Sequence, residues 1–109
     1  MVSIGAAIAR PKETVISIDG DGSFMMTAID IMTIAEHNLK IKICILNDAQ
    51  QNMVVNWQKL YCDGRVTATL NMNPDFKLMA ESCGIKGIEC DNEEGNFFQN
   101  TLGNHGAQE

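Results

Sequence analysis

Two β-branched, mostly apolar runs limit most strongly how this chain can fold. Residues 14–19 (TVISID) and 41–46 (IKICIL) each predict a buried strand. The segment between them has the spacing of an amphipathic helix from Ser23 to Glu36, ending at Asn38. A strand–helix–strand order with so apolar a first strand predicts parallel strands joined by a right-handed crossover. We therefore expect an α/β fold, a parallel sheet with flanking helices.

Further elements are expected after the second strand. A helix over 50–61 should place apolar side chains on one face, and residues 65–73 should be irregular. A second helix over 76–83 should follow an Asn-Pro-Asp turn and stop at Gly84, which can adopt the left-handed cap conformation. Residues 85–90 suggest a third short strand. The tail, 103–109, lacks apolar periodicity and is expected to fray.

Composition excludes several classes of protein. The chain has 109 residues, which is enough for a single domain at most, covering residues 1–109. The net charge of -6 and the scattered basic residues argue against nucleic-acid binding. No apolar run approaches the roughly 20 residues needed to cross a bilayer, and residues 1–10 do not resemble a secretory signal. A soluble protein without membrane association is expected.

The four cysteines, Cys44, Cys62, Cys83 and Cys90, have neither the spacing of a redox pair nor that of a zinc site. We expect free thiols, with Cys44 and Cys83 packed in the core, and a reducing compartment.

Oxygen-bearing side chains follow both predicted strands. The first strand leads into Asp19-Gly20-Asp21-Gly22-Ser23 and the second into Asn47-Asp48-Ala49-Gln50. Because the carboxyl ends of neighbouring parallel strands converge, the carboxylates of Asp21 and Asp48 can meet. The glycines allow a tight turn and close approach to a ligand, and free N–H groups at the start of the next helix can face an anion. Carboxylate, phosphate and water oxygens are what Mg²⁺ prefers.

These residues also carry a family resemblance. The run IDGDGSF at 18–24, followed by LNDAQQNMV at 46–54, resembles the thiamine-diphosphate motif, which starts Gly-Asp-Gly and ends Asn-Asn. With IGAAIARP, the Asn-Pro-Asp-Phe turn and LMAESCGIKGI, the likeness extends from about residue 4 to residue 88 and is to the carboxyl-terminal domain of acetolactate synthase, also called acetohydroxyacid synthase. The resemblance implies a partial, truncated thiamine-diphosphate-binding fold.

The resemblance implies a role for each matching position. The side chains of Asp21 and Asp48 and the backbone carbonyl of Gln50 would bind Mg²⁺. The diphosphate would be lined by Gly20, Gly22, Ser23 and Asn47. Met53 would support the cofactor, and Val54 and Trp57 would line the substrate channel. For these last three side chains, a plain helix core is the alternative interpretation.

Two positions depart from the family pattern. Asp48 stands where the motif has Asn, which adds a negative charge beside the diphosphate and should strengthen metal binding while weakening diphosphate binding. Asn52 stands where Gly is typical, so a left-handed backbone there would be less comfortable.

The implied activity belongs to the whole enzyme, which decarboxylates pyruvate and condenses it with a second 2-oxo acid in branched-chain amino acid biosynthesis. No catalytic residue is assigned in this chain, because the family's glutamate comes from another domain of a neighbouring subunit. FAD is expected in the full-length enzyme, bound by other segments. The implied partners are the missing domains or a second catalytic subunit, in a homodimer or larger assembly.

Two alternatives remain open. One is a domain of another thiamine-diphosphate 2-oxo acid decarboxylase or oxidase. The other is a truncated, non-catalytic binding or assembly module. The resemblance implies the cytoplasm of a bacterium, or a mitochondrion or plastid of a eukaryote.

Overall fold

Two parallel strands form the centre of the structure, a computed structural model that describes residues 1–90. They pair in register from Val15 opposite Ile41 to Gly20 opposite Leu46, so the predicted parallel pair is confirmed. In chain order the elements are α1 (Val2–Ala9), β1 (Val15–Gly20), α2 (Asp21–Met26), α3 (Asp30–Glu36), β2 (Ile41–Leu46), α4 (Asn52–Tyr61) and α5 (Phe76–Ser82). The α/β class with flanking helices is therefore confirmed.

The crossover between the strands is two short helices, so the prediction of one helix from Ser23 to Glu36 is wrong. α2 begins immediately after β1. Between α2 and α3 the chain forms a tighter turn, with hydrogen bonds between residues three apart instead of four. There the N–H groups of Asp30 and Ile31 donate to carbonyl groups three residues earlier, at 3.0 and 3.1 Å. Such turns contain about 3.0 residues rather than 3.6, so they rotate the following side chains out of phase with an unbroken α-helix.

Much of the apolar face that the spacing of a single helix predicted is exposed. Met26 and Ile29 are 77% and 82% exposed, whereas Phe24, Ile31 and Ile34 are buried. Phe24 packs edge-to-face against Phe76 of α5, with ring centroids 5.5 Å apart. The core therefore joins α2 and α3 to α5.

The sheet is covered on one face. Ile41, Ile43 and Ile45 of β2 are buried in this core. On β1 the exposure alternates, and Ile16 and Ile18 are 67% and 69% exposed. Because side chains of a strand alternate between the two faces, these two isoleucines mark a face of the sheet that is uncovered along β1 within the described part of the chain. On β2 the same face carries Cys44, opposite Ile18, which is buried.

Two helices end at the predicted residues, Asn38 and Gly84, and the left-handed conformation predicted for Gly84 is confirmed. Asn38 follows α3 with a φ of 48°, and Gly84 follows α5 with a φ of 75°. In each case the next residue donates its N–H across the last turn, Leu39 to Ile34 and Ile85 to Ala80, both at 3.0 Å. This is the bonding of the Schellman motif, which satisfies carbonyl groups that a helix end would otherwise leave unpaired.

The segments after β2 match the predictions made from the sequence only in part. α4 begins at Asn52, two residues later than expected, and of its residues Val55 is buried. The Asn-Pro-Asp turn does open α5, where the Asp75 carboxylate accepts a hydrogen bond from the N–H of Leu78 at 2.9 Å. The prediction of a third strand over 85–90 is wrong, because in this range only Lys86 forms a β-bridge, and it is a single one. A strand is defined by its pairing, and apolar side chains alone do not supply a neighbour.

The four cysteines are free, and Cys44 is buried, whereas Cys83 is half-buried. No helix within residues 1–90 is long and apolar enough to cross a bilayer. The expectation of a frayed tail at 103–109 lies outside the described residues.

Candidate functional site

The segments that follow β1 and β2 border one cavity of about 560 Å³. From the first segment it is lined by Gly20, Asp21, Gly22 and Ser23. From the second it is lined by Asp48, Gln50, Met53 and Val54. The structure therefore places both candidate carboxylates at one cavity, next to the carboxyl ends of the parallel strands. Asn47 and Trp57 are not among its lining residues.

Asp21 is the buried acid of this site. It is the first residue of α2 and is only 2% exposed. Its carboxylate accepts hydrogen bonds from the side-chain amides of Asn73 and Asn71, at 2.5 and 3.0 Å. A buried carboxylate without such donors would be strongly disfavoured in its charged form. The two amides therefore keep a negative charge at the edge of the cavity.

The pKa of Asp21 reflects two opposing causes. Burial raises the pKa, but hydrogen bonds from Asn73, from Asn71 and from the backbone N–H groups of Gly22 and Asp21 outweigh it, and the pKa lies below its usual range. A lowered pKa means that these contacts stabilise the fold above the unfolded carboxyl's pKa. That stabilisation is lost as the pH falls through the folded value.

Asn73 joins the two strand-end segments. Its amide nitrogen also donates to the side-chain oxygen of Asn47, at 2.7 Å, so one group bridges Asp21 after β1 and Asn47 after β2. We did not assign Asn71 or Asn73 a site role from the sequence. A usable signal was present, because two asparagines two residues apart in an irregular segment can face the same side of an extended chain.

Asp48 lies on the open side of the cavity. Its side chain is exposed, and its two oxygens accept from the backbone N–H of Gln50, at 3.2 Å, and from the side-chain amide of Asn52. Asn52 takes its place as the first residue of α4 without a positive φ, so the left-handed strain considered for it is absent. The positive φ, 56°, belongs instead to Ala49.

A short bridge fixes this segment against residues 69–71. Gln50 pairs with Leu70 in an isolated antiparallel bridge. On either side of it, the N–H of Gln51 donates to Thr69 and the N–H of Asn71 donates to Ala49, both at 2.9 Å. The bridge thus positions Asn71 for its contact with Asp21. Within residues 1–90, the backbone carbonyl of Gln50, a residue that lines the cavity, accepts none of the hydrogen bonds.

The two motif glycines serve different purposes. Gly20 has a φ of -77° and a ψ of 156°, which any residue adopts, so the expectation that it permits a tight turn is wrong. A Cβ added to Gly20 would meet nothing within 4 Å, which leaves open space at the cavity wall. A Cβ on Gly22 would lie 3.1 Å from the amide nitrogen of Asn71. Gly22 therefore makes room for a donor to Asp21.

The apolar side chains of α4 are exposed. Met53 and Val54 line the cavity, and Trp57 lies farther along the helix, where its ring is 4.7 Å from that of Tyr61. Because all three candidate side chains are exposed, the plain helix core is wrong for them. They are free to meet a ligand or another protein segment.

The donor set of the cavity suits a small, hard cation. Two carboxylates and one unpaired carbonyl supply oxygen, and Mg²⁺ usually takes one or two carboxylates and completes its octahedron with phosphate and water. Within residues 1–90, no cluster of three or more His, Cys, Asp or Glu side chains is present that would indicate a zinc-type centre. The open wall at Gly20 gives an anionic group space beside the cation. The residues thus fit a metal-bound diphosphate.

Comparison with known proteins gives a consistent result. Residues 2–105 match the family described as thiamine pyrophosphate enzyme, C-terminal TPP binding domain. Acetolactate synthase of Schizosaccharomyces pombe, a mitochondrial protein, is 41% identical over 92 residues, which is 84% of this chain and 14% of that protein. Acetolactate synthase isozyme 2 large subunit of Escherichia coli is 42% identical over 86 residues, 78% of this chain and 16% of that protein.

A solved structure shares the fold. The thiamine diphosphate-dependent 4-hydroxybenzoylformate decarboxylase of Rhodococcus jostii RHA1 superimposes with a TM-score of 0.76 and 26% sequence identity, covering 84% of this chain and 18% of that one. The chain therefore spans a small part of the length of each of these proteins.

Proposed function

The chain belongs to the thiamine pyrophosphate (thiamine diphosphate) enzyme family, as its C-terminal cofactor-binding domain, and we propose that it holds the diphosphate and Mg²⁺ of that cofactor for an acetolactate synthase. The observation that carries the proposal is the shared cavity, which is lined both by Asp21 after β1 and by Asp48 after β2. The acetolactate synthase assignment draws on the relatives at 41% and 42% identity.

The proposed metal ligands are the carboxylates of Asp21 and Asp48 and the backbone carbonyl of Gln50. Support for Asp21 comes from its charge-retaining contacts with Asn71 and Asn73, and support for Gln50 from its unpaired carbonyl oxygen. Two carboxylates near each other repel, and a divalent cation between them relieves that repulsion. The bound metal would in turn be a link between the two strand-end segments.

The proposed diphosphate contacts come from Gly20, Gly22, Ser23 and Asn47. Gly20 leaves the wall open, and Ser23 is an exposed hydroxyl donor that lines the cavity. Asn47 does not line the cavity among the described residues, so its proposed contact rests on the family resemblance; its side-chain oxygen accepts a hydrogen bond from Asn73. Among residues 1–90, no lysine or arginine lines the cavity, so the phosphate charge would be balanced by the metal and by neutral donors.

Thiamine diphosphate, when bound, supplies the carbanion chemistry of such enzymes, and the protein supplies binding and orientation. Here Met53 would support the cofactor, while Val54 and Trp57 would border the approach of small 2-oxo acids such as pyruvate. All three side chains are exposed on α4 beside or beyond the cavity. We assign no catalytic residue to this chain. FAD, if present in the whole enzyme, would be held by other segments.

The exposed apolar surfaces support association with other parts of the enzyme. The uncovered sheet face carries Ile16 and Ile18, and α4 exposes Trp57. Large apolar patches seldom remain bare on a soluble monomer. We propose that other domains of the enzyme or a second catalytic subunit cover them, in a homodimer or larger assembly. The compartment would be the cytoplasm in a bacterium and a mitochondrion or plastid in a eukaryote.

A second candidate is a decarboxylase or oxidase of 2-oxo acids that uses the same cofactor. The likeness to the Rhodococcus decarboxylase favours it, although the sequence identity of 26% is lower than that to the acetolactate synthases. Product analysis of the full-length enzyme supplied with pyruvate separates the two, since acetolactate forms only in the first case.

Calorimetry tests the binding proposal on the 109-residue chain itself. Thiamine diphosphate with Mg²⁺ is titrated into the unmodified chain, into Asp21→Ala, and into Asn56→Ala, an exposed residue of α4 outside the site. We expect binding to the unmodified chain and to Asn56→Ala and loss of binding to Asp21→Ala. Equal binding to all three variants, or none to the unmodified chain, overturns the proposal.

A further inference from the structure

Both oxygens of the Asp48 carboxylate are held by neutral donors from its own segment. The backbone N–H of Gln50 donates to Oδ1 at 3.2 Å, and the side-chain amide of Asn52 donates to Oδ2. Asn52 is the first residue of α4 and lines the same cavity as Asp48. The carboxylate is therefore tied at one end to the loop and at the other to the helix.

These two hydrogen bonds leave the Asp48 carboxylate able to bind a cation, but they restrict the geometry in which it can bind. A carboxylate has about four lone-pair sites, and the two hydrogen bonds use about half of them. Each oxygen can still bind a metal ion by itself. To bind one ion with both oxygens, the carboxylate must turn toward the ion. This rotation breaks or weakens the hydrogen bonds from Gln50 and Asn52.

The distinction matters because cations differ in the carboxylate geometry that they accept. Mg²⁺ needs a near-ideal octahedron at about 2.0–2.1 Å, and a carboxylate normally contributes one oxygen to it. Ca²⁺ accepts 6–8 oxygens at about 2.3–2.6 Å and is often bound by both oxygens of one carboxylate. A carboxylate whose two oxygens are each restrained thus favours the smaller ion.

We propose that Asn52 is a positioning residue that holds Asp48 in a one-oxygen geometry and thereby sets the preference of the site for Mg²⁺ over Ca²⁺. This inference rests on the proposed metal site and concerns which ion that site prefers. Asn52 acts through Asp48 and does not itself contact the ion.

The surroundings of Asn52 fit this role better than a structural one. Its side chain is exposed, and among the described residues its hydrogen-bond partner is Asp48. In the part of the chain that the structure describes, no lysine or arginine lines the cavity to restrain the carboxylate instead. An amide restrains the carboxylate without adding a charge, so the negative charge stays available to a cation.

The test compares two metals on three variants of the 109-residue chain. Mg²⁺ alone and Ca²⁺ alone are titrated calorimetrically into the unmodified chain, Asn52→Ala and the control Asn56→Ala, and thermal melts establish that each is folded. We expect Asn52→Ala to weaken Mg²⁺ binding about 10-fold, as for other residues that orient a metal ligand, and to leave Ca²⁺ binding within about 3-fold. Asn56→Ala should match the unmodified chain.

A double-mutant cycle shows whether Asn52 acts through Asp48. In an Asp48→Ala background, Asn52→Ala should cause no further loss of Mg²⁺ affinity. An unchanged Mg²⁺/Ca²⁺ ratio in Asn52→Ala, equal weakening of both ions, or the same loss in the Asp48→Ala background overturns the inference. If the unmodified chain binds no Mg²⁺, or Asp21→Ala binds it equally well, the metal site itself fails, which is a different result.

Discussion

The amide nitrogen of Asn73 lies 2.5 Å from the buried carboxylate of Asp21. The same nitrogen also donates to Asn47, so residues from three separated stretches of the chain meet at one point. Asp21 is thereby kept charged in a place where burial alone would favour the neutral acid. Asn73 is thus both a structural link and a determinant of the charge at the cavity.

Asn73→Ala should cost stability. It removes the shorter of the two amide donors to a buried, charged carboxylate, and leaving such a group partly unpaired costs about 1–3 kcal/mol. The free energy of unfolding from urea denaturation measures this, with the exposed Asn56→Ala as control. Equal stability of the two variants would show that the Asn73 contact contributes nothing.

Gly20→Ala should separate binding from folding. Its backbone conformation suits any residue and its Cβ would meet no atom within 4 Å, so the free energy of unfolding should change by less than about 0.5 kcal/mol. The added methyl group would enter the space proposed for the diphosphate, and thiamine diphosphate binding should weaken at least about 10-fold, or about 1.4 kcal/mol.

Gly5→Ala in α1, where an added Cβ also meets nothing, is the matched control for Gly20→Ala. It should stabilise the helix by about 0.5–1 kcal/mol and leave binding unchanged. Undiminished cofactor binding by Gly20→Ala would mean that the diphosphate lies elsewhere.

Asp48→Asn should shift affinity from the metal to the diphosphate. Removing one negative charge beside the phosphate groups relieves repulsion, so thiamine diphosphate should bind more tightly, while Mg²⁺ alone should bind more weakly. Separate titrations of metal and cofactor measure the two effects. Unchanged or weaker cofactor affinity in Asp48→Asn contradicts the expectation.

Ala49→Gly should stabilise the segment after β2. Ala49 has a φ of 56°, and a residue with a Cβ is disfavoured there by roughly 1–2 kcal/mol. Glycine removes that strain but loses some chain entropy on folding, so a net gain of about 1 kcal/mol is expected. Ala6→Gly, the same substitution inside α1, should instead cost about 1 kcal/mol. Denaturation curves with the same sign for both variants would refute the strain at Ala49.

The uncovered sheet face should drive association. Ile16 and Ile18 are both more than half exposed on β1, and burying them with a partner is favourable. We expect the chain to associate at micromolar concentration and Ile16→Thr/Ile18→Thr to associate less, as measured by light scattering. A monodisperse monomer of the unmodified chain contradicts this expectation.

The sequence predicted those features that depend on short-range pattern. β-branched runs identified β1 and β2, a glycine and an asparagine marked two helix ends, and the polar residues after each strand pointed to the cavity. The face buried by α2 and α3 was not predictable from spacing, because the tight turn before Asp30 changes the phase of the helix. The roles of Asn71 and Asn73 were missed because they arise from contacts with Asp21 some 50 residues earlier in the chain.

The central claim is that Asp21 and Asp48 bind one divalent ion that holds a diphosphate. A crystal structure of the chain with thiamine diphosphate and Mn²⁺ in place of Mg²⁺ tests it most directly, since anomalous scattering locates the ion. We predict one anomalous peak in the cavity, about 2.0–2.3 Å from a carboxylate oxygen of each residue, with diphosphate density beside Gly20. A peak bound by only one of the two carboxylates, or located away from the cavity, would contradict the claim.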